Sequence, residues 1–280
     1  MIGNPRSGTS LFRLMLHLHS QICIPPESHF FLWLEEKYSS WNIDRLDDYL
    51  NDLNESTKFE TWDINSHDLH AFICHHDPKN YGELNCIIYL FYAVKNNMQP
   101  LFWGDKNKLW KEKLETVASY YPEARFIHII RDGRDVVCSF RELAKKNIES
   151  RYTPNVPLDI EHLSRRWNMN IKRIMAFQEK IPASQFLVIR YEDLLSHTER
   201  EMRKAFEFLG VPFESDVLDY YLVEDPSLIE PKEFLQWKQK LREPIDHSNM
   251  GKYKTKLTLH EIQYFNRINS DLLEAFNYSC

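Results

Sequence analysis

Gly3-Asn4-Pro5-Arg6-Ser7-Gly8-Thr9-Ser10 keeps the glycine spacing of the G-x-x-x-x-G-K-[ST] loop but carries Thr9 where that loop has lysine. In the triphosphate loop, backbone N–H groups cradle phosphates and the lysine reaches the β and γ oxygens. Here the loop's one side-chain cation is Arg6. The spacing therefore suits a ligand with a 5′-phosphoryl group and no γ-phosphate to hold. The apolar run Leu11 to Leu18, interrupted by Arg13 and His17, follows at helical spacing, so the loop opens a helix whose N-terminus favours an anion.

Two further charged segments close predicted strands. Arg125–Ile130 is a β-branched and aromatic run ending at Arg131-Asp132-Gly133, and Phe186–Ile189 ends at Arg190-Tyr191-Glu192-Asp193. Helical patterns follow over 135–146 and 196–209, the second stopped by Leu209-Gly210-Val211-Pro212. Strand, loop and helix in repetition predict an α/β fold, a single domain over 1–280 with a central, mainly parallel sheet flanked by helices. Ligands in such sheets sit beyond the carboxyl ends of the strands, where residues 3–10, 131–139 and 190–193 would meet. Residues 28–105 have weak strand signals and many aromatics and histidines, among them Phe30, Trp33, Trp62 and His75. They read as a helical, aromatic-rich insertion beside the sheet, either an acceptor pocket or lid, or helical core and surface.

The chain has 280 residues, ample for a sizeable core. Its net charge of −6 supplies no global basic field for nucleic acid or an anionic membrane, so an anion site must be built locally. The five cysteines show no metal-ligand spacing, and the adjacent His75-His76 pair reads as surface, so no metal site is expected. Reduced thiols, no apolar run of membrane length and no signal peptide predict a cytoplasmic protein without stable membrane insertion. Only Met1 and Ile2 precede the loop: either its strand is a stub or the chain extends upstream, with room for a targeting signal.

With these segments placed, the chain resembles the sulfotransferases that use 3′-phosphoadenosine 5′-phosphosulfate. Pro5-Arg6-Ser7-Gly8-Thr9-Ser10 is similar to the family's 5′-phosphosulfate loop, Ile130 to Ser139 to its 3′-phosphate segment, and Arg190-Tyr191-Glu192-Asp193-Leu194 to its later strand end. A looser likeness lies at Gly251-Lys252-Tyr253. The resemblance implies the P-loop-related fold and this nucleotide as donor. It assigns Arg6, Ser7, Gly8, Thr9 and Ser10 to the phosphosulfate. Arg131 and Ser139 go to the 3′-phosphate with Gly251 and Lys252 closing over it, and Tyr191 to the adenine. Arg134 either assists or pairs with Asp132 or Asp135.

The same resemblance implies an in-line displacement without a metal. Glu27, in Pro25-Pro26-Glu27, stands where glutamate-using members place their base, with His29 as runner-up. Lys106 resembles the lysine at the sulfuryl group and leaving oxygen. The histidine that other members carry two residues later would fall at Lys108. Ser248, in Asp246-His247-Ser248, resembles a serine placed near the bridging oxygen. The expected acceptor is a hydroxyl, less readily an amine, on a carbohydrate, lipid or small metabolite. Two other classes stay open: a P-loop kinase or nucleotide hydrolase, and a nucleotide-binding protein that has lost turnover.

Overall fold

The structure is a computed structural model that describes residues 1–279 apart from 108–112, 147, 149, 154–155, 225–229 and 236–237. Its strands are β1 (Ile2–Gly3), β2 (Ile22–Cys23), β3 (Phe102–Trp103), β4 (Phe126–Ile130) and β5 (Phe186–Arg190). The helices that bear on the argument are α1 (Thr9–His17), α2 (Phe30–Tyr38), α3 (Leu46–Glu55), α4 (Ser66–His76), α5 (Tyr81–Lys95), α6 (Leu114–Tyr120), α7 (Gly133–Ala144), α8 (Ile160–Gln178), α9 (Tyr191–Ser196), α10 (Thr198–Leu209) and, near the C-terminus, α11 (Leu259–Ala275). The chain divides into two compact units, Met1–Phe12 with Arg125–Cys280, and Arg13–Ala124.

The first unit is built on a parallel sheet in the order β1-β4-β5. Ile2 pairs with His128 and Phe126 with Phe186, so the chain leaves all three strands at the same end. Every residue of β4 is buried, as a central parallel strand requires. Its apolar run is broken only by His128, whose ring lies near those of Phe186 and Phe276. Ile130 shares a core with Val136 and Phe140 of α7, Trp167 and Ile171 of α8, and Phe265 of α11. The predicted stop after α10 is present, with Gly210 left-handed at φ 72°.

The second unit holds α2 to α6 and a short parallel pair, β2 with β3. Aromatic side chains fill its interior. Phe30 packs on Phe59 and Trp62, and Tyr89 stacks on Trp103 at 4.3 Å between ring centres. The predicted insertion, 28–105, falls inside this unit. Among the described residues no helix is long and apolar enough to cross a membrane, and no three His, Cys, Asp or Glu side chains gather as a metal site.

Candidate active site

In the first unit, the residue types of the 3–10 loop follow from how closely it turns. A Cβ at Gly3 would lie 2.7 Å from the Ile129 carbonyl oxygen, so only glycine lets β1 pass into the loop against β4. Arg6 and Gly8 are both left-handed, at φ 73° and 87°, on either side of Ser7. A Cβ at Gly8 would sit 2.3 Å from the Tyr191 ring, which fixes glycine there twice over. The first helical bond of α1 runs from Phe12 N to Gly8 O at 3.1 Å, so the N–H groups before it point out of the helix end. Ser7 Oγ and Arg131 Nε are buried with no hydrogen-bond partner among the described residues. Orphaned donors at a left-handed loop and a helix N-terminus are the chemistry of an anion cradle.

Two guanidinium groups face this cradle. Arg6 Nε donates to Ser139 Oγ at 3.1 Å. Arg131 Nη1 donates to the Arg6 carbonyl at 2.9 Å and Nη2 to the Asn249 carbonyl at 2.5 Å, with its guanidinium 4.6 Å from the Tyr191 ring centre. Neither arginine has a carboxylate within ion-pair distance among the described residues. Enclosure of the Arg6 guanidinium, and then the like charge of Arg131, bring its pKa down to about 10. Arg6, Gly8, Thr9, Ser10, Arg131, Ser139 and Tyr191 line one cavity, joined by Tyr220 and by Asp246 and Asn249 of the late segment.

Side chains outside the motifs hold the cradle. Asn170 Nδ2 donates to Asn4 Oδ1 at 2.6 Å, and Trp167 Nε1 to the Arg131 carbonyl at 3.2 Å. Three apart on α8, these two lie on one helix face and brace the first two motifs together. The third motif joins through Glu192, which accepts from Asp132 N at 3.0 Å and from the Tyr278 hydroxyl at 2.9 Å. Asp132 caps α7 and pairs with Arg134, 2.7 Å from Arg134 Nη2, as one of the two pairings the sequence offered. Asp135 instead accepts from Gly251 N and Tyr253 N, at 2.7 and 2.9 Å, and burial raises its pKa.

The late segment is therefore pinned beside α7, with Gly251 left-handed at φ 68°. Lys252 Nζ lies on Glu142 Oε2 at 2.8 Å. Ser248 is exposed on a single 3-10 turn whose flanking Asp246 and Asn249 line the cavity.

In the second unit a charged cluster surrounds Glu27. Its Oε2 accepts from Lys106 Nζ at 2.6 Å. Its Oε1 takes Lys58 Nζ at 2.5 Å and lies 3.0 Å from His29 Nε2. All four side chains are buried. Asn107 Nδ2 donates to the Ser28 carbonyl at 2.6 Å, and the Tyr89 hydroxyl to Asp105, so the 104–107 loop is fastened on both sides of Lys106. His17 and His19 accept the N–H groups of Ile24 and Gln21 through Nδ1, at 3.1 and 3.0 Å, and so shape the turn leading to Glu27. Lys108 lies outside the described residues.

Sequence reasoning thus brings Arg6, Arg131, Ser139 and Tyr191 to one cavity, and Glu27, His29 and Lys106 to one cluster. It missed Lys58, Asn170, Trp167 and Asn249. The Trp167-to-Asn170 spacing was a signal of a shared helix face; nothing in the sequence marks Lys58 or Asn249.

The family model described as the sulfotransferase family matches residues 1–215. The chain is 23% identical over 218 residues to protein-tyrosine sulfotransferase A of Caenorhabditis elegans, covering 78% of this chain and 51% of that protein. It is 25% identical over 221 residues to the protein-tyrosine sulfotransferase of Drosophila melanogaster, covering 78% and 39%. The chain thus spans about half the length of the first relative and less of the second. Among solved structures, it matches the sulfotransferase domain from the curacin biosynthetic pathway with a TM-score of 0.63 at 22% identity, covering 99% of this chain and 96% of that one. The sulfotransferase domain of the Synechococcus PCC 7002 olefin synthase gives 0.63 at 20% identity, covering 100% and 94%. At those identities the two domains share the fold.

Proposed function

Because the chain belongs to the sulfotransferase family, we propose that it moves a sulfuryl group from 3′-phosphoadenosine 5′-phosphosulfate to a hydroxyl acceptor. The observation that carries this reading is the pair Arg6 and Arg131, held on a hydroxyl and on main-chain carbonyls beside a phosphate loop without the triphosphate lysine. Guanidinium groups match tetrahedral oxyanions with a fork of donors. Buried Ser7 Oγ and Arg131 Nε add donors that a nucleotide bearing phosphate at both ends would satisfy.

Arg6 and the N–H groups of Ser7, Gly8, Thr9 and Ser10 bind the 5′-phosphosulfate. Arg131 and Ser139 bind the 3′-phosphate, with Gly251 and Lys252 closing over it and Tyr191 beside the adenine. The donor supplies the sulfuryl group and leaves as 3′-phosphoadenosine 5′-phosphate. Glu27 takes the acceptor proton as the acceptor oxygen bonds to sulfur. The bond from sulfur to the phosphate oxygen breaks with its electron pair on that oxygen, which Arg6, Lys106 and Ser248 stabilise. The named relatives act on protein tyrosine, so a tyrosyl hydroxyl is the first acceptor to screen, ahead of carbohydrate, lipid or metabolite hydroxyls.

Thermal unfolding with 3′-phosphoadenosine 5′-phosphate, AMP and ATP–magnesium tests the donor assignment. At a hundred times its dissociation constant the preferred nucleotide adds about 2.7 kcal/mol, a shift of several degrees. The 3′-phosphorylated nucleotide should give the largest shift. A larger shift with ATP–magnesium would move the protein to the kinase and hydrolase class.

A further inference from the structure

Two carboxylates, Glu142 and Asp246, stand in the wall of the cavity that Arg6 and Arg131 share. Asp246 is engaged by its own turn: it accepts from Ser248 N at 2.9 Å and from Lys240 Nζ at 2.7 Å. Glu142 lies on α7 one turn past Ser139 and two past Asp135, so the three side chains share a face of the helix. Among the described residues its carboxylate has one polar partner, Lys252 Nζ, 2.8 Å from Oε2, and the side chain is 42% exposed. The segment carrying Lys252 is held without that contact. Asp135 accepts the N–H groups on both sides of the lysine, those of Gly251 and Tyr253, and Arg131 donates to the Asn249 carbonyl. The charge of Glu142 is also felt at Arg6: enclosure and then Arg131 lower the Arg6 pKa, and against them Tyr191 and Glu142 raise it.

We propose that Glu142 is a resident counter-ion of the 3′-phosphate site, which weakens the hold on that phosphate and keeps the product nucleotide exchangeable. The inference rests on the reading that Arg131 and Ser139 bind the 3′-phosphate. A phosphate on Ser139 arrives beside a carboxylate one helix turn away, and like charges repel. It also competes with that carboxylate for Lys252. A ligand with phosphate at its 5′ end alone lies farther from Glu142 and is penalised less. Two opposite outcomes are thereby separated. A carboxylate that merely anchored Lys252 would strengthen nucleotide binding, whereas a counter-ion weakens it.

The test is calorimetry with 3′-phosphoadenosine 5′-phosphate and with AMP, on the parent, Glu142→Gln and Glu142→Asp. Glu142→Gln keeps the shape and removes the charge. It should tighten the 3′-phosphorylated nucleotide by about three- to tenfold, less as salt is raised, and change AMP by no more than about twofold. Release of the bound nucleotide, followed by displacement, should slow by a like factor. Glu142→Asp keeps the charge and should stay near the parent. Weaker or unchanged binding by Glu142→Gln overturns the proposal. So does an equal gain for AMP, which would take the carboxylate away from the 3′ end, or an equal gain by Glu142→Asp, which would make shape rather than charge the cause.

A second readout needs no nucleotide. Inorganic sulfate, titrated at constant ionic strength, should raise the thermal midpoint by filling the cavity between Arg6 and Arg131. Glu142→Gln should reach the same shift at a sulfate concentration about threefold lower. Equal sulfate curves overturn the role of Glu142 whether or not the protein binds the donor. A parent protein that does not prefer the 3′-phosphorylated nucleotide, with the sulfate gain present, would sink the donor assignment while leaving Glu142 standing as a counter-ion of the cavity.

Discussion

In the first unit Arg6 and Arg131 are held by a serine hydroxyl and by main-chain carbonyls, whereas in the second Lys58 and Lys106 lie on the carboxylate of Glu27. Carbonyl and hydroxyl dipoles orient a guanidinium without cancelling its charge. Two such groups near one another repel, which is why Arg131 helps to lower the Arg6 pKa. An anion entering between them removes that repulsion and gains both attractions, so the first unit is arranged to bind. The ammonium groups of the second unit already have their counter-charge. An incoming anion would have to compete with Glu27 for them, so in the absence of ligand the lysines set the surroundings of a carboxylate. On the proposed reading the contrast separates recognition from proton chemistry, and each can be tested alone.

The largest break is Glu27→Gln. An amide keeps the shape but cannot take a proton, so turnover should fall by about 10²–10⁴. Binding of 3′-phosphoadenosine 5′-phosphate, measured by calorimetry, should be unchanged. A comparable loss of binding would mean that the two centres are not separable. Arg131→Ala is the converse. It removes a charged donor set and should weaken the 3′-phosphorylated nucleotide by about 10- to 100-fold while affecting AMP much less. Equal losses for both ligands would take Arg131 away from the 3′-phosphate.

A third prediction concerns the sheet beneath the cradle. Both ring nitrogens of His128 are buried without a partner among the described residues, and burial pushes its pKa down to about 3. Between that value and the ordinary pKa near 6.5, the unfolded chain binds a proton that the folded one refuses, so stability falls as pH drops through this window. At pH 5 the loss is about 2 kcal/mol relative to neutral pH. His128→Leu should lose correspondingly less between pH 7 and 5 in urea titrations. An unchanged slope would take His128 out of the acid response.

Much of the first unit was legible because its chemistry is local. The turn at Gly3, the left-handed Gly8 and the strand ends before Arg131 and Tyr191 are all written in short segments, and β4, β5 and the stop at Gly210 follow from residue type and period. What was not legible depends on distant residues. Asn170 meets Asn4 across 166 positions, and Arg131 reaches the Asn249 carbonyl, a main-chain atom that no side chain announces. The second unit was harder to read. Its β2–β3 pair is two residues long on each side, and Lys58 owes its place to an aromatic clamp rather than to any spacing from Glu27.

The smallest predicted effect is the sharpest test of the contrast, because Lys252 is a cation of the first unit held in the manner of the second. Its ammonium already lies on Glu142, and that carboxylate is half exposed. Binding a phosphate requires Lys252 to leave one anion for another, and exposed pairs of this kind contribute about 0–1 kcal/mol. Lys252→Ala should therefore reduce affinity for the 3′-phosphorylated nucleotide by only about two- to fivefold, with the difference shrinking as salt is raised. Calorimetry at low and high salt, beside Arg131→Ala, reads this directly. A loss as large as that of Arg131→Ala would show that a cation already paired to a carboxylate binds as strongly as one held by carbonyls, and partner type would no longer separate the two centres.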